Sequence, residues 1–121
     1  MMAQDSSKDL EGLLVVTVEQ AVAAPYTSCR LADAGARVIK IERPEGDFAR
    51  NYDSNALGNS AYFVWLNRGK ESVCLDLKDT KDIMPLKNII SKADILIQNL
   101  APGAFERLGL DLKKLRTEHP R

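Results

Sequence analysis

Four stretches of the chain set small or charged side chains directly after an apolar run, which suits the capture of a phosphorylated ligand. Residues 13–18 (LLVVTV) run into Glu19, Gln20 and then the small residues Ala21, Ala23 and Ala24 ahead of Pro25. Small side chains let a ligand approach the backbone, and a helix start beyond them favours an anion. That loop equally fits a tight connection packed beneath a neighbour. Arg43 follows RVIKIE, and Pro44 fixes the turn after it. Lys78 follows SVCLDL. Asn99 and Leu100 follow DILIQ, with Arg107 slightly later. Each cation alone fits an ordinary solvated surface charge, but three gathered on one rim would bind phosphates. No GxGxxG and no GxxxxGK[ST] is present, so neither a dinucleotide fingerprint nor a P-loop is supported.

These positions need elements to hold them. Residues 13–18 are apolar almost throughout, as suits a strand covered on both faces. Pro25 fits the first turn of a helix that runs to about residue 34, with Leu31 and Ala32 facing the sheet and Gly35 stopping it. Residues 37–42 form a second strand, which completes a βαβ unit with a right-handed crossover. Residues 44–60 are rich in Gly, Asn and Asp and read as a functional or mobile loop. Residues 61–67 (AYFVWLN) fit a short helix or a strand, with the helix preferred, and a turn follows over 67–70. A third strand is expected at 72–77, with Asp76 inside it. Asp79 or Thr80 caps a helix reaching residue 92, and Pro85 either starts or kinks it. A fourth strand at 94–98, a short helix at 104–108 and a last helix capped by Asp111 complete the order. The class is α/β, an open, mostly parallel, Rossmann-like sheet with flanking helices. In such sheets the ligand lies outside the carboxyl ends of the strands, where the four loops above converge.

Composition narrows the field. With 121 residues the prior is one domain or less: a flexible tail over 1–9 and a single unit over 10–121. Seventeen basic and seventeen acidic residues cancel, so nothing in the charge points to nucleic acid. No apolar run approaches about 20 residues, so no membrane partner is expected, and the polar start MMAQDSSKD lacks a signal core. A cytoplasmic protein is the expectation. Cys29 and Cys74 form no CxxC and His119 is the lone histidine, so no metal site is expected and two free buried thiols are. Trp65, among apolar neighbours, reads as a core or subunit-contact aromatic.

Read together, LEGLLVV (10–16), LADAGARVIKIERPEGD (31–47), YFVWLNRGKESVCLDLKD (62–79) and ADILIQNLAPGAFERLGLD (93–111) resemble the family III CoA-transferases. That group includes formyl-CoA transferase, carnitine CoA-transferase and α-methylacyl-CoA racemase. The resemblance implies a site for CoA or acyl-CoA as substrate, with no permanently bound cofactor. Arg43 would hold the nucleotide end. Leu75 and Lys78 would line the same groove, Lys78 near the phosphates, and Asn99, Leu100 and Arg107 would complete it. Alignment through Pro25 sets Val22 where several family members carry a glutamine beside the reacting carboxylate, with Ala23 presenting backbone to CoA. Gln20 lies two positions earlier.

Family members are longer, and their catalytic aspartate lies downstream of the segment matching residues 118–121. No catalytic residue is therefore expected within this chain, and its fold is expected to be incomplete relative to the full family fold. Asp47, Asp76 and Asp111 are expected to be structural or solvent-facing. The implied reaction moves CoA between an acyl-CoA and a carboxylic acid through an enzyme aspartyl intermediate. The resemblance also covers an acyl-CoA racemase and a catalytically inactive CoA-binding fragment. Intact family members are interlocked homodimers.

Overall fold

The structure is a computed structural model that describes residues 8–121. Most of the expected tail, residues 1–7, lies outside the described residues; Lys8 and Asp9 lie at a turn, where Lys8 Nζ donates to the Asp33 carbonyl. The elements run β1 (Leu14–Val18), α1 (Ala23–Asp33), β2 (Arg37–Glu42), a 3-10 turn (Phe48–Asn51), α2 (Ala61–Asn67), β3 (Lys70–Cys74), α3 (Thr80–Ser91), β4 (Ile95–Gln98), α4 (Ala104–Arg107) and α5 (Leu112–Glu118). The strands form one sheet in the order β3-β2-β1-β4, every neighbouring pair parallel.

Period-2 alternation divides the strand residues between two faces. Val16, Val18, Ile39 and Ile41 pack with Leu86 and Ile90 of α3 and with Phe105 and Leu110. Val15 and Val38 face the other way, against Leu31 and Ala32 of α1. Burial on both faces is why β1 reads as a continuous apolar run. Helix α1 stops where Gly35 takes φ +106°. A Cβ there would sit 2.6 Å from that of Lys8, so glycine is required on steric as well as conformational grounds.

Several expectations need correction. The third strand begins at Lys70 and ends at Cys74, two residues ahead of its expected start. Gly69 (φ +76°) releases the chain from α2 directly into register with β2, Val38 opposite Lys70 and Glu42 opposite Cys74. Asp76 therefore lies in a turn, where its Oδ1 accepts from the Lys78 amide. Cys29 is buried but Cys74, on the edge strand, is exposed. Trp65 is half exposed and so is no core residue: on short α2 the buried position is Leu66, and Trp65 packs sideways against Tyr26 and Tyr62. Pro85 neither starts nor ends α3, which spans it. The helical reading of 61–67 holds, capped by Ser60 Oγ accepting from the Phe63 amide. Asp111 caps α5, accepting from Lys113 and Lys114.

Candidate functional site

The carboxyl ends of β1 and β2 and the turn after β3 open onto a cleft of about 290 Å³. Its apolar lining is Val18, Ile41, Leu77, Leu100 and Leu108. Its polar lining is Glu19, Gln20, Glu42, Arg43, Glu45, Asp47, Asp76 and Lys78. This volume is near the lower end for ligand pockets and accommodates one part of a large ligand.

The structure brings Arg43, Lys78 and Leu100 to this cleft. Arg43 is held at the rim: its Nε donates to the Gly46 carbonyl at 2.9 Å, and its guanidinium stacks 4.1 Å from the Phe48 ring centroid. The other expected residues lie elsewhere. Leu75 packs against the apolar core, with its amide donating to the Glu42 carbonyl. The Asn99 side chain is spent on the neighbouring loop, accepting from the Gln20 amide and donating to the Gln20 carbonyl, both at 2.9 Å. Val22 caps α1 without a side-chain hydrogen bond, and Ala23 is exposed on its first turn. Arg107 ends α4, exposed, its guanidinium folded back over Gly103.

Beneath the cleft lies a layer of buried charge that the sequence reading did not find. The side chains of Glu19, Lys40 and Asp47 are at most 1% exposed, and that of Lys70 is 2% exposed. Lys70 Nζ donates to Glu19 Oε1 at 2.7 Å, and Lys40 Nζ donates to Asp47 Oδ2 at 2.6 Å. Asn67 Oδ1 accepts from both lysines, at 2.8 and 3.0 Å. Ser28 Oγ lies 2.8 Å from Glu19 Oε2 as its donor. Burial pulls the Lys70 ammonium below its ordinary pKa, against the raising influence of its hydrogen bond to Glu19. Next to this layer Glu42 is held by Arg50, Ser72 and the Asp47 amide. Burial pushes its carboxyl up, but these donors outweigh it and bring the pKa down to about 2.

The consequence for the cleft is electrostatic. The buried carboxylates Glu19, Glu42 and Asp47 each face a cation, so they present little net charge. What remains at the rim is Arg43 and Lys78 against Glu45 and Asp76, and Glu45 itself lies 4.0 Å from Arg43. One sequence signal could have exposed the buried layer. Lys40 lies two residues from Val38 and so shares its buried face, where a charge needs a partner.

The chain belongs to the CoA-transferase family III, whose family model matches residues 10–121. It is 41% identical over 112 residues to acetyl-CoA:oxalate CoA-transferase of Acetobacter aceti, a match covering 92% of this chain and 29% of that protein. It is 34% identical over 108 residues to succinyl-CoA:glutarate CoA-transferase of Mus musculus, covering 88% of this chain and 25% of that protein. Among solved structures, it matches a CAIB/BAIF family protein from Brucella suis with a TM-score of 0.83 at 34% identity, over 92% of this chain and 31% of that one. A hypothetical protein from Mycobacterium tuberculosis matches with a TM-score of 0.86 at 36% identity, over 93% of this chain and 31% of that one. The chain thus spans under a third of the length of these relatives. Among the described residues no helix is long and apolar enough to cross a membrane.

Proposed function

We propose that these residues form the CoA-binding part of an enzyme that moves CoA between an acyl-CoA and a carboxylic acid. The observation that carries this reading is the cleft at the strand ends, with Arg43 and Lys78 on its rim and the carboxylates below them already paired with cations. The Arg43 guanidinium and the Lys78 ammonium can each donate to a phosphate despite Glu45 and Asp76 on the same rim, and the apolar lining suits the non-charged parts of the same ligand. Leu75, Asn99, Arg107, Val22 and Ala23 do not line the cleft; they are proposed to bear on the ligand only where it extends beyond it, with Asn99 acting through the Gln20 backbone it holds. Two of the relatives named above carry the name of a CoA-transferase, which favours transfer over racemisation. The attacking aspartate is proposed to lie outside the 121 residues. Glu19, Glu42 and Asp47 are locked in ion pairs, and a carboxylate so engaged is a poor nucleophile. A cytoplasmic, interlocked homodimer is part of this proposal for the intact enzyme.

Calorimetric titration of the chain with CoA, 3′-dephospho-CoA and pantetheine tests the reading. CoA is expected to bind most tightly, and pantetheine, which lacks the nucleotide, least. Equal affinity for all three, or no binding of CoA, would overturn it. Incubation with succinyl-CoA and acceptor acids, followed by mass spectrometry, is expected to yield no new acyl-CoA. Chain-dependent product would show that a carboxylate within these residues performs the chemistry.

A further inference from the structure

The loop between β1 and α1 contributes Glu19 and Gln20 to the cleft, and its path depends on one unfavourable residue. Ala21 has φ +66°, in the left-handed region. A non-glycine residue is disfavoured there by roughly tenfold in a free chain. The loop is therefore clamped from outside. Glu19 is fixed by Ser28 and Lys70, and Gln20 by Asn99. The clamp on Ala21 itself comes from a residue 26 positions away: Asp47 Oδ1 accepts from the Ala21 amide at 2.9 Å. The same oxygen accepts from the Ala49 amide at 3.0 Å, while Oδ2 takes the Lys40 ammonium at 2.6 Å. A buried carboxylate tied by a cation on one oxygen has little freedom to move, so the other oxygen is a fixed acceptor.

We propose that Asp47 is a positioning residue, whose Lys40-anchored carboxylate holds Ala21 in its left-handed conformation and thereby sets the β1–α1 loop against the cleft. The hydrogen bond couples the two walls of the cleft, the loop after β1 and the loop after β2. Loss of that acceptor lets Ala21 relax to negative φ and displaces Gln20 from the lining. The effect on affinity rests on the CoA reading above; the effect on the loop does not.

The test compares two variants of the whole chain that remove the buried ion pair together, so that neither leaves a lone buried charge. Lys40→Met/Asp47→Asn retains an acceptor for the Ala21 amide, and Lys40→Met/Asp47→Leu does not. Hydrogen exchange at the Ala21 amide is read by NMR and CoA affinity by calorimetry. Exchange in the leucine pair is expected to be at least about tenfold faster than in the asparagine pair, and CoA binding about tenfold weaker, a backbone N–H left without its acceptor costing about that factor. A folded leucine pair that matches the asparagine pair in both would overturn the proposal. Ala21→Val covers the case of a leucine pair that does not fold, because it leaves Lys40 and Asp47 in place and only disfavours positive φ further. It is expected to weaken CoA binding several-fold in a chain that still folds, and wild-type affinity would count against the proposal. If the wild-type chain binds no CoA, the CoA reading falls, and the exchange comparison still decides the role of Asp47.

Discussion

Glu42 should make the stability of this protein sensitive to acid over a defined range. Its side chain is 5% exposed, and four donors reach it. Arg50 donates through Nη2 at 2.7 Å and Nε at 2.8 Å, Ser72 Oγ at 2.9 Å, and the Asp47 amide at 3.1 Å. Its pKa drops from 4.5 to about 2. At about 1.36 kcal/mol per unit, that drop sets a ceiling of about 3 kcal/mol on what the ionised form contributes. Arg50 is 45% exposed, so solvent screening reduces the expected contribution to about 1–2 kcal/mol. A carboxyl with a depressed native pKa stabilises fully above its unfolded pKa, and that contribution disappears as the pH falls through the native value. The wild type should therefore lose it between pH 4.5 and about 2. Urea unfolding of the wild type and of Glu42→Gln across that range is the assay. Glutamine cannot accept the same charge-assisted pair, so the variant should be less stable by about 1–2 kcal/mol at neutral pH. The gap should narrow as the pH falls towards 2, because the wild-type residue is by then about half protonated. A gap that stays constant with pH would refute this account and assign the loss to packing.

Arg43→Ala should weaken CoA binding by about tenfold or more, as expected for a lost charge-assisted phosphate contact, with little change in melting temperature. Calorimetry decides it, and unchanged affinity would remove Arg43 from the site. Trp65 is half exposed and absent from the cleft lining, so its fluorescence should resemble that of a partly solvated indole and stay constant on adding CoA. A strong quench by CoA would place it against the ligand.

What the sequence made legible follows the range of the physics involved. The second strand could be read at its observed bounds, 37–42, because apolar β-branched residues mark it and Gly35 marks the break before it. The Asp111 cap could be read because its partners, Lys113 and Lys114, lie within three residues. The third strand slipped because SVCLDL keeps alternating beyond Cys74, whereas the observed strand is fixed by register with β2, a relation between distant segments. The site was divided along the same line. Placement at strand ends was enough to bring Arg43, Lys78 and Leu100 to the cleft. Apart from the place of Lys40 on the buried face of Val38, nothing marked the buried layer, because its partners are far apart in the chain: Lys70 and Glu19 are 51 residues apart, and Lys40 and Asn67 are 27. Charge in a single sequence reads as surface until its partner is known. Asn99 shows the converse: a polar residue in a ligand-facing loop whose side chain is taken up by another loop's backbone.

The buried charges also bear on why this end of the sheet is built from polar residues at all. Thr17, Lys40 and Ser72 lie in one cross-strand row through β1, β2 and β3, on the face that carries Val15 and Val38 one step earlier. A wholly apolar layer there would be simpler, since replacing a buried ion pair by well-packed hydrophobic residues is often neutral or stabilising. Stability alone therefore does not account for Lys40 and Lys70. Geometry does: each lysine bonds a side chain that in turn fixes, or belongs to, the loop after β1. Lys70 holds Glu19, and Lys40 holds the Asp47 that holds Ala21. The same pairs neutralise carboxylates that would otherwise repel an anion from a rim carrying Arg43 and Lys78. The layer thus acts on the cleft twice, through the backbone path of its wall and through its potential. An apolar substitute would supply neither.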